Sequence, residues 1–243
     1  MRSLSRALAL VAVTALTAGG LSACLWDSES FDDQSRHEEK ITAVRMDLAS
    51  GDVTLRGSRA DSEISVRRSV EYRGDRPKDA THRIEDGVLV LGGCGDDCSV
   101  DYTVELPAGL PVSGETSNGS LSFSRVGEVR VSTGSGGISL NRVSGTARVR
   151  TSNGSVKGRE LAGKGVNAQS ANGNIDLVST RTQNIDATTS NGNVAVTVPE
   201  GRYAVTAKTS RGDTDVDVTD DPDAGHWIHA GSSNGNIELR TAR

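Results

Sequence analysis

A four-letter corner that keeps returning constrains this chain more than any other feature. TSNGSLSF begins at 116, TSNGSVKG at 151, SANGNIDL at 170, TTSNGNVAV at 188 and SSNGNIEL at 232. Counted on the glycines Gly119, Gly136, Gly154, Gly173, Gly192, Gly212 and Gly235, the spacings are 17, 18, 19, 19, 20 and 23 residues. The register around each anchor is stricter than the phrase. Seven residues before it stand Val112, Val129, Ala147, Val166, Ile185, Val205 and Ile228, and two residues after it an apolar residue stands in every copy but Thr214. The third position before it is Thr or Ser throughout. A further copy lies upstream, where Val44 and Met46 precede Gly51 and Val53 and Leu55 follow it.

Alternation of this parity on both flanks means two short strands per unit, each with one buried face, joined at a corner. Asn and Gly accept positive φ cheaply, so Asn118, Asn153, Asn172, Asn191 and Asn234 with their glycines are structural corner residues. Two short strands in a period of 17 to 20 residues fit a β-solenoid whose rungs stack over a narrow core of Val, Ile, Leu and Ala. Stacking would set Asn above Asn in a ladder of amides. An antiparallel meander of Asn-Gly hairpins satisfies the same parity and stays open as the alternative. Fidelity of position favours the solenoid, because stacking places like above like. Either way the chain is all-β. Only 3% of its residues are aromatic and 28 are Gly, too few bulky side chains for a wide core.

Residues 110–242 carry the regular repeats and 57–106 break the rhythm. ISVRRSVEYR, GVLVL and SVDYTVEL read as longer strands without the corner, suited to cover an open end of a stack. Within them, Cys94 and Cys98 bracket a short Gly-containing loop, and a disulfide is expected there in an oxidising compartment. The rival, half of a zinc site, lacks a second cysteine pair, and His37, His82, His226 and His229 are scattered along the sequence.

The first 23 residues are a separate object: a basic start at Arg2 and Arg6, an apolar run from Ala7 to Leu16, and small residues before Cys24. The run is too short to span a bilayer and is an export signal. Its ending, LSAC, resembles the lipobox of bacterial lipoproteins, which implies lipidation of Cys24, cleavage before it, and a protein held on the outer face of the membrane. Residues 24–40 are expected to be a polar linker and 41–243 the repetitive domain. Loss of the signal takes the basic count from 27 to 25 against 32 acids, a formal charge of −7, which argues against nucleic acid as a partner.

Three motifs invite chemistry that their context refuses. Gly231 to Gly235 fits G-x-S-x-G, yet a nucleophile elbow needs a helix after the turn and a strand pattern follows. Asp213, Asp215, Asp217, Asp220, Asp221 and Asp223 are more simply a solvated edge than a calcium site. Of two Arg-Gly-Asp triplets, the one at 211 is a repeat copy with Arg211 in the Asn slot.

VRMDLASGDVTLRG, VELPAG with its echo VTVPEG, and the serial T-S-N-G units resemble the bacterial adhesin-type domains of unknown function, cell-envelope proteins with repetitive β-solenoid-like folds. The resemblance spans roughly residues 40 to 240. It implies a non-enzymatic module, with no catalytic, metal or cofactor residues to carry over, and a cell-wall glycan or envelope protein as partner. A β-helical carbohydrate-active enzyme is the alternative; it would need paired carboxylates or an acid and a base facing one groove, and the repeated positions are Thr, Ser, Asn and Gly.

Overall fold

The computed structural model describes residues 28–58 and 63–242, so Cys24 and the rest of the expected signal and anchor lie outside the described residues. Alternation of apolar and polar residues produces strands throughout, beginning with β1 (Glu29–His37), β2 (Ala43–Ser50), β3 (Val53–Ser58), β4 (Ile64–Tyr72), β5 (His82–Glu85), β6 (Val88–Gly92) and β7 (Cys98–Pro107). The regular region supplies β8 (Val112–Asn118), β9 (Leu121–Ser124), β10 (Val129–Ser135), β11 (Ile138–Asn141), β12 (Ala147–Asn153), β13 (Val156–Leu161), β14 (Gly165–Asn172) and β15 (Ile175–Ser179). It continues with β16 (Asn184–Asn191), β17 (Val194–Val198), β18 (Ala204–Arg211), β19 (Thr214–Asp217), β20 (Trp227–Asn234) and β21 (Ile237–Thr241). No helix occurs among the described residues.

Each rung is one strand, a Gly corner and a second strand. The first strands stack into sheet B, in the order β5-β6-β2-β8-β10-β12-β14-β16-β20-β18, and the second strands into sheet A, in the order β1-β4-β7-β3-β9-β11-β13-β15-β17-β21-β19. Neighbouring rungs pair in parallel and in register, with Val129 beside Ala147, and Ala147 beside Val166. The meander is therefore excluded. Antiparallel pairing is confined to the N-terminal end, where β4 joins β1 to β7 and β5 lies on β6. Val44, Val112, Val129, Ala147, Val166, Ile185 and Ile228 line the core from sheet B, and Val53, Leu121, Ile138, Val156, Ile175, Val194 and Ile237 meet them from sheet A.

Three features differ from the sequence expectation. Residues 29–37 of the expected linker are β1, because Phe31, Asp33, Ser35 and His37 turn one face inward along the otherwise open edge of β4. The section 57–106 does cap the stack through β4 and β5, but β6 and β7 within it are a rung of their own, parallel to β2 and β3. The disulfide Cys94–Cys98, with Cα atoms 5.7 Å apart, closes the longer corner of that rung in place of Ser-Asn-Gly. Finally, rung order departs from chain order at both ends. The rung of β2 and β3 sits between those of β6–β7 and β8–β9, and the rung of β20 and β21 sits between those of β16–β17 and β18–β19.

Candidate functional site

The Thr, Asn and Gly of the repeated corner each have a mechanical task. The Thr or Ser three residues before the glycine is buried, and its hydroxyl donates to the glycine carbonyl of the adjacent rung: Thr133 to Gly119, Thr151 to Gly136, Ser170 to Gly154 and Thr189 to Gly173, each at 2.9 Å. Asn172 Nδ2 donates to Asn153 Oδ1, Asn191 to Asn172 and Asn234 to Asn191, all at 2.9 Å. Arg211 ends this ladder with a 3.3 Å bond to Asn234, so the second Arg-Gly-Asp triplet is the terminal step of a structural stack. A second ladder, absent from the sequence reading, runs one residue past the glycine: the carboxamide oxygens of Asn174, Asn193 and Asn236 accept from the backbone N–H of Asn193, Asn236 and Asp213. Asp52 and Asp101 extend the motif toward the N-terminal end. The corner residues are thus committed to holding rungs together. Asn118 and Gly119 lie in the same stack, with Thr116 donating to the Asn118 carbonyl at 3.2 Å.

The candidate functional side chains are displayed elsewhere, on the outer face of sheet B. The outward positions six and four residues before each glycine form rows across neighbouring strands. Arg130 and Arg148 are adjacent in one row and Asn167 and Asp186 continue it. Arg150 stands beside them in the next row. Arg130, Arg148, Arg150 and Asn167, with Arg45 and Arg83, line a shallow open groove of about 920 Å³ that also includes Asp47 and Glu115. Arg130 and Arg148 share Glu128 at 3.6 and 3.7 Å, and Arg83 and Arg45 share Glu85 at 2.6 and 3.9 Å. The groove continues into a second hollow beside Trp227.

A polar cluster closes the N-terminal end of the core. Arg68, nearly buried, binds Asp33 through Nε at 2.8 Å and Nη2 at 2.7 Å, and this bond holds the Asp33 carboxyl below the usual carboxylate range. Tyr102 donates within hydrogen-bond reach of Thr81 and the Gly92 carbonyl, and burial pushes its phenol up to about 12. His37 and His82, far apart in sequence, meet with their Nε2 atoms 3.4 Å apart and Ser35 Oγ within 3.1 Å of each. Burial first, and then His37, holds the His82 imidazole below its ordinary value. The inward parity of β1 was the available signal, masked by the acidic composition of its segment.

The other motifs have no shared site. The strand β21 follows Gly235, so Gly231 to Gly235 is no nucleophile elbow. Asp215 pairs with Arg240, Asp221 with Arg202, and His229 lies 3.4 Å from Asp186. Among the described residues no three His, Cys, Asp or Glu side chains converge as a metal site.

The stacked rungs and their corner ladders agree with a comparison against protein families, in which the Toastrack DUF4097 profile matches residues 95–241. The chain belongs to the Toastrack DUF4097 family. Solved structures with which it can be aligned include a candidate adhesin from Bacteroides fragilis, at 11% identity, 87% of this chain, 97% of that chain and a TM-score of 0.49. Another is a candidate adhesin from Parabacteroides distasonis, at 12% identity, 89% and 98% coverage and a TM-score of 0.40. A candidate cell adhesion protein from Clostridium sporogenes gives 12% identity, 87% and 100% coverage and a TM-score of 0.38. A comparison with curated proteins found no match.

Proposed function

We propose that this Toastrack protein is a cell-envelope lipoprotein, held to the outer face of the bacterial membrane by lipid on Cys24, and that it serves there as a non-enzymatic, adhesin-like binding and structural module. Its partner in this reading is a cell-wall glycan or an envelope protein. The observation that carries the reading is the outer face of sheet B, where arginine, asparagine and aspartate repeat along a row on a stiff stack. Equivalent weak contacts presented at a fixed spacing add to an avidity well above any one of them. An acyl-anchored Cys24 a few residues before β1 would hold the stack close to the membrane by its N-terminal end.

Two measurements test the proposal. Cys24→Ala is expected to move the protein from the membrane fraction to the soluble one or to leave the precursor uncleaved; unchanged processing and partition would remove the lipoprotein assignment. The full chain in detergent is expected to sediment with isolated cell walls without shortening their polysaccharide. Turnover of that polysaccharide, abolished by one carboxylate substitution, would replace a binding role with an enzymatic one.

A further inference from the structure

We propose that the hollow beside Trp227 is the stacking subsite of a groove for an acidic glycan chain, which runs from there across sheet B to Arg148 and Arg150. The inference rests on the binding role above and names its ligand class.

Trp227 opens β20 on the outward side, with 42% of its surface in water. An indole left this open forgoes much of the favourable burial that its large apolar surface could gain. Val216, on the terminal rung, is the one other large apolar side chain so exposed among the described residues. The strand next to β20 carries Asn184 at the same level, whose Oδ1 accepts the Trp227 backbone N–H at 3.2 Å, and the strand after that carries Gly165. Gly165 offers no side chain, so the sheet surface falls away there. The result is a hollow of about 360 Å³ between the indole on one side and Lys164 and Arg148 on the other. That is the lower end of the small-molecule range, with room for a sugar ring and its substituents.

The chemistry of the wall matches a pyranose. One face of such a ring is a patch of C–H groups, which an exposed aromatic face receives, and its edge is a fan of hydroxyls, each both donor and acceptor. Asn167 and Asp186 stand at that edge as planar groups already fixed by a 2.9 Å bond from Asn167 Nδ2 to Asp186 Oδ2. His229 lies on the other side of Asp186, with Nδ1 3.4 Å from Oδ1. A pre-set array of this kind costs little side-chain entropy to engage.

The sign of the ligand follows from the next two strands. Arg130, Arg148 and Arg150 face one another on β10 and β12, while Glu128 is the only carboxylate within ion-pair reach of any of them among the described residues. Asp47 and Glu115 lie further along the groove. Guanidinium in excess over carboxylate, in a chain that is acidic as a whole, is a local device for binding anions, and its forked donors fit carboxylates in pairs. From Trp227 to Arg148 the groove crosses three strand spacings, roughly 14 Å, the reach of a short oligosaccharide.

The test uses the detergent-solubilised full chain carrying Trp26→Phe, in which Trp227 is the sole tryptophan. Its fluorescence is titrated with an oligogalacturonate of six residues and, separately, with a neutral oligosaccharide of equal length. The acidic oligomer is expected to give a saturable change at least tenfold tighter than the neutral one, and the affinity to fall as salt rises. Trp227→Ala, checked by melting to be folded, is expected to lose tenfold or more by calorimetry, and Arg148→Gln with Arg150→Gln to flatten the salt dependence. Equal binding of the neutral oligomer, or full affinity in Trp227→Ala, overturns the proposal. Failure of the acidic oligomer while the parent still sediments with cell walls overturns this subsite and leaves the binding role standing. Failure of both removes the binding role itself.

Discussion

At the scale of single residues, the corner glycine is required twice over. Gly173 has φ +157° and Gly192 φ +151°, a region that β-branched side chains avoid, and a Cβ on either would collide with the backbone carbonyl of the corner glycine in the neighbouring rung. Relief is not local, because each obstacle is backbone that is itself held by a buried hydroxyl, the Gly154 carbonyl by Ser170 and the Gly173 carbonyl by Thr189. Gly173→Val is therefore expected to destabilise by at least about 2 kcal/mol, read from chemical denaturation, whereas a substitution at the exposed Ser152 should stay within about 0.5 kcal/mol. The repeated phrase announced these glycines. It did not announce the amide-to-backbone ladder of Asn174, Asn193 and Asn236, since a lone Asn after Asn-Gly reads as ordinary turn chemistry until rungs are stacked.

At the scale of elements, the arm β1 is the part whose attachment depends on titratable groups. It is fastened to β4 by Asp33 on Arg68 and to β5 by the Ser35, His37 and His82 contact, with Tyr102 of β7 behind. His82 has a folded value below the ordinary 6.5, so the unfolded chain takes up its proton first. The stability it gives is complete above the unfolded value of 6.5 and is lost as pH falls from there through the lower folded value. The Asp33 contribution, with a folded value below 3.8, is lost only at still lower pH. Melting of the parent is expected to drop between about pH 8 and pH 5, and His82→Gln to remove much of that slope. A slope unchanged in the variant would assign the effect to other groups. From sequence this arm was hidden: alternation in ESFDDQSRH places polar Asp33, Ser35 and His37 inward, where a hydrophobic pattern would have revealed a strand.

At the scale of the whole molecule, nine rungs at the usual strand spacing make a rod with a span on the order of 38 Å between its terminal rungs. Its class, its corner and the rows on each face were legible, because a repeat writes the same geometric instruction many times. Rung order was not, because parity and spacing fix what each rung looks like and say nothing about which rung it lands on. Trp227 was not legible as a surface group either; only its outward phase on β20 and the bare Gly165 two strands away give it a site. The far end is left with β18 and β19 as open edges, Val216 among them, and Lys208, Arg211, Asp213, Asp215 and Asp217 surround it with charge that discourages another sheet from adding on.

Interleaving at that end makes the seating of one rung wait for a later segment of the chain. The segment forming β18 and β19 is synthesised before the segment forming β20 and β21, yet it is seated on the latter. A chain made only as far as residue 226 must therefore hold 204–217 unpaired, with the rung of β16 and β17 exposed as its temporary terminus. A chain ended after residue 226 should lose two rungs, not one: hydrogen exchange is expected to show 204–217 unprotected while 112–198 keeps its protection. The segment 227–241 thus acts as a latch, inserted between two rungs whose sequences both precede it.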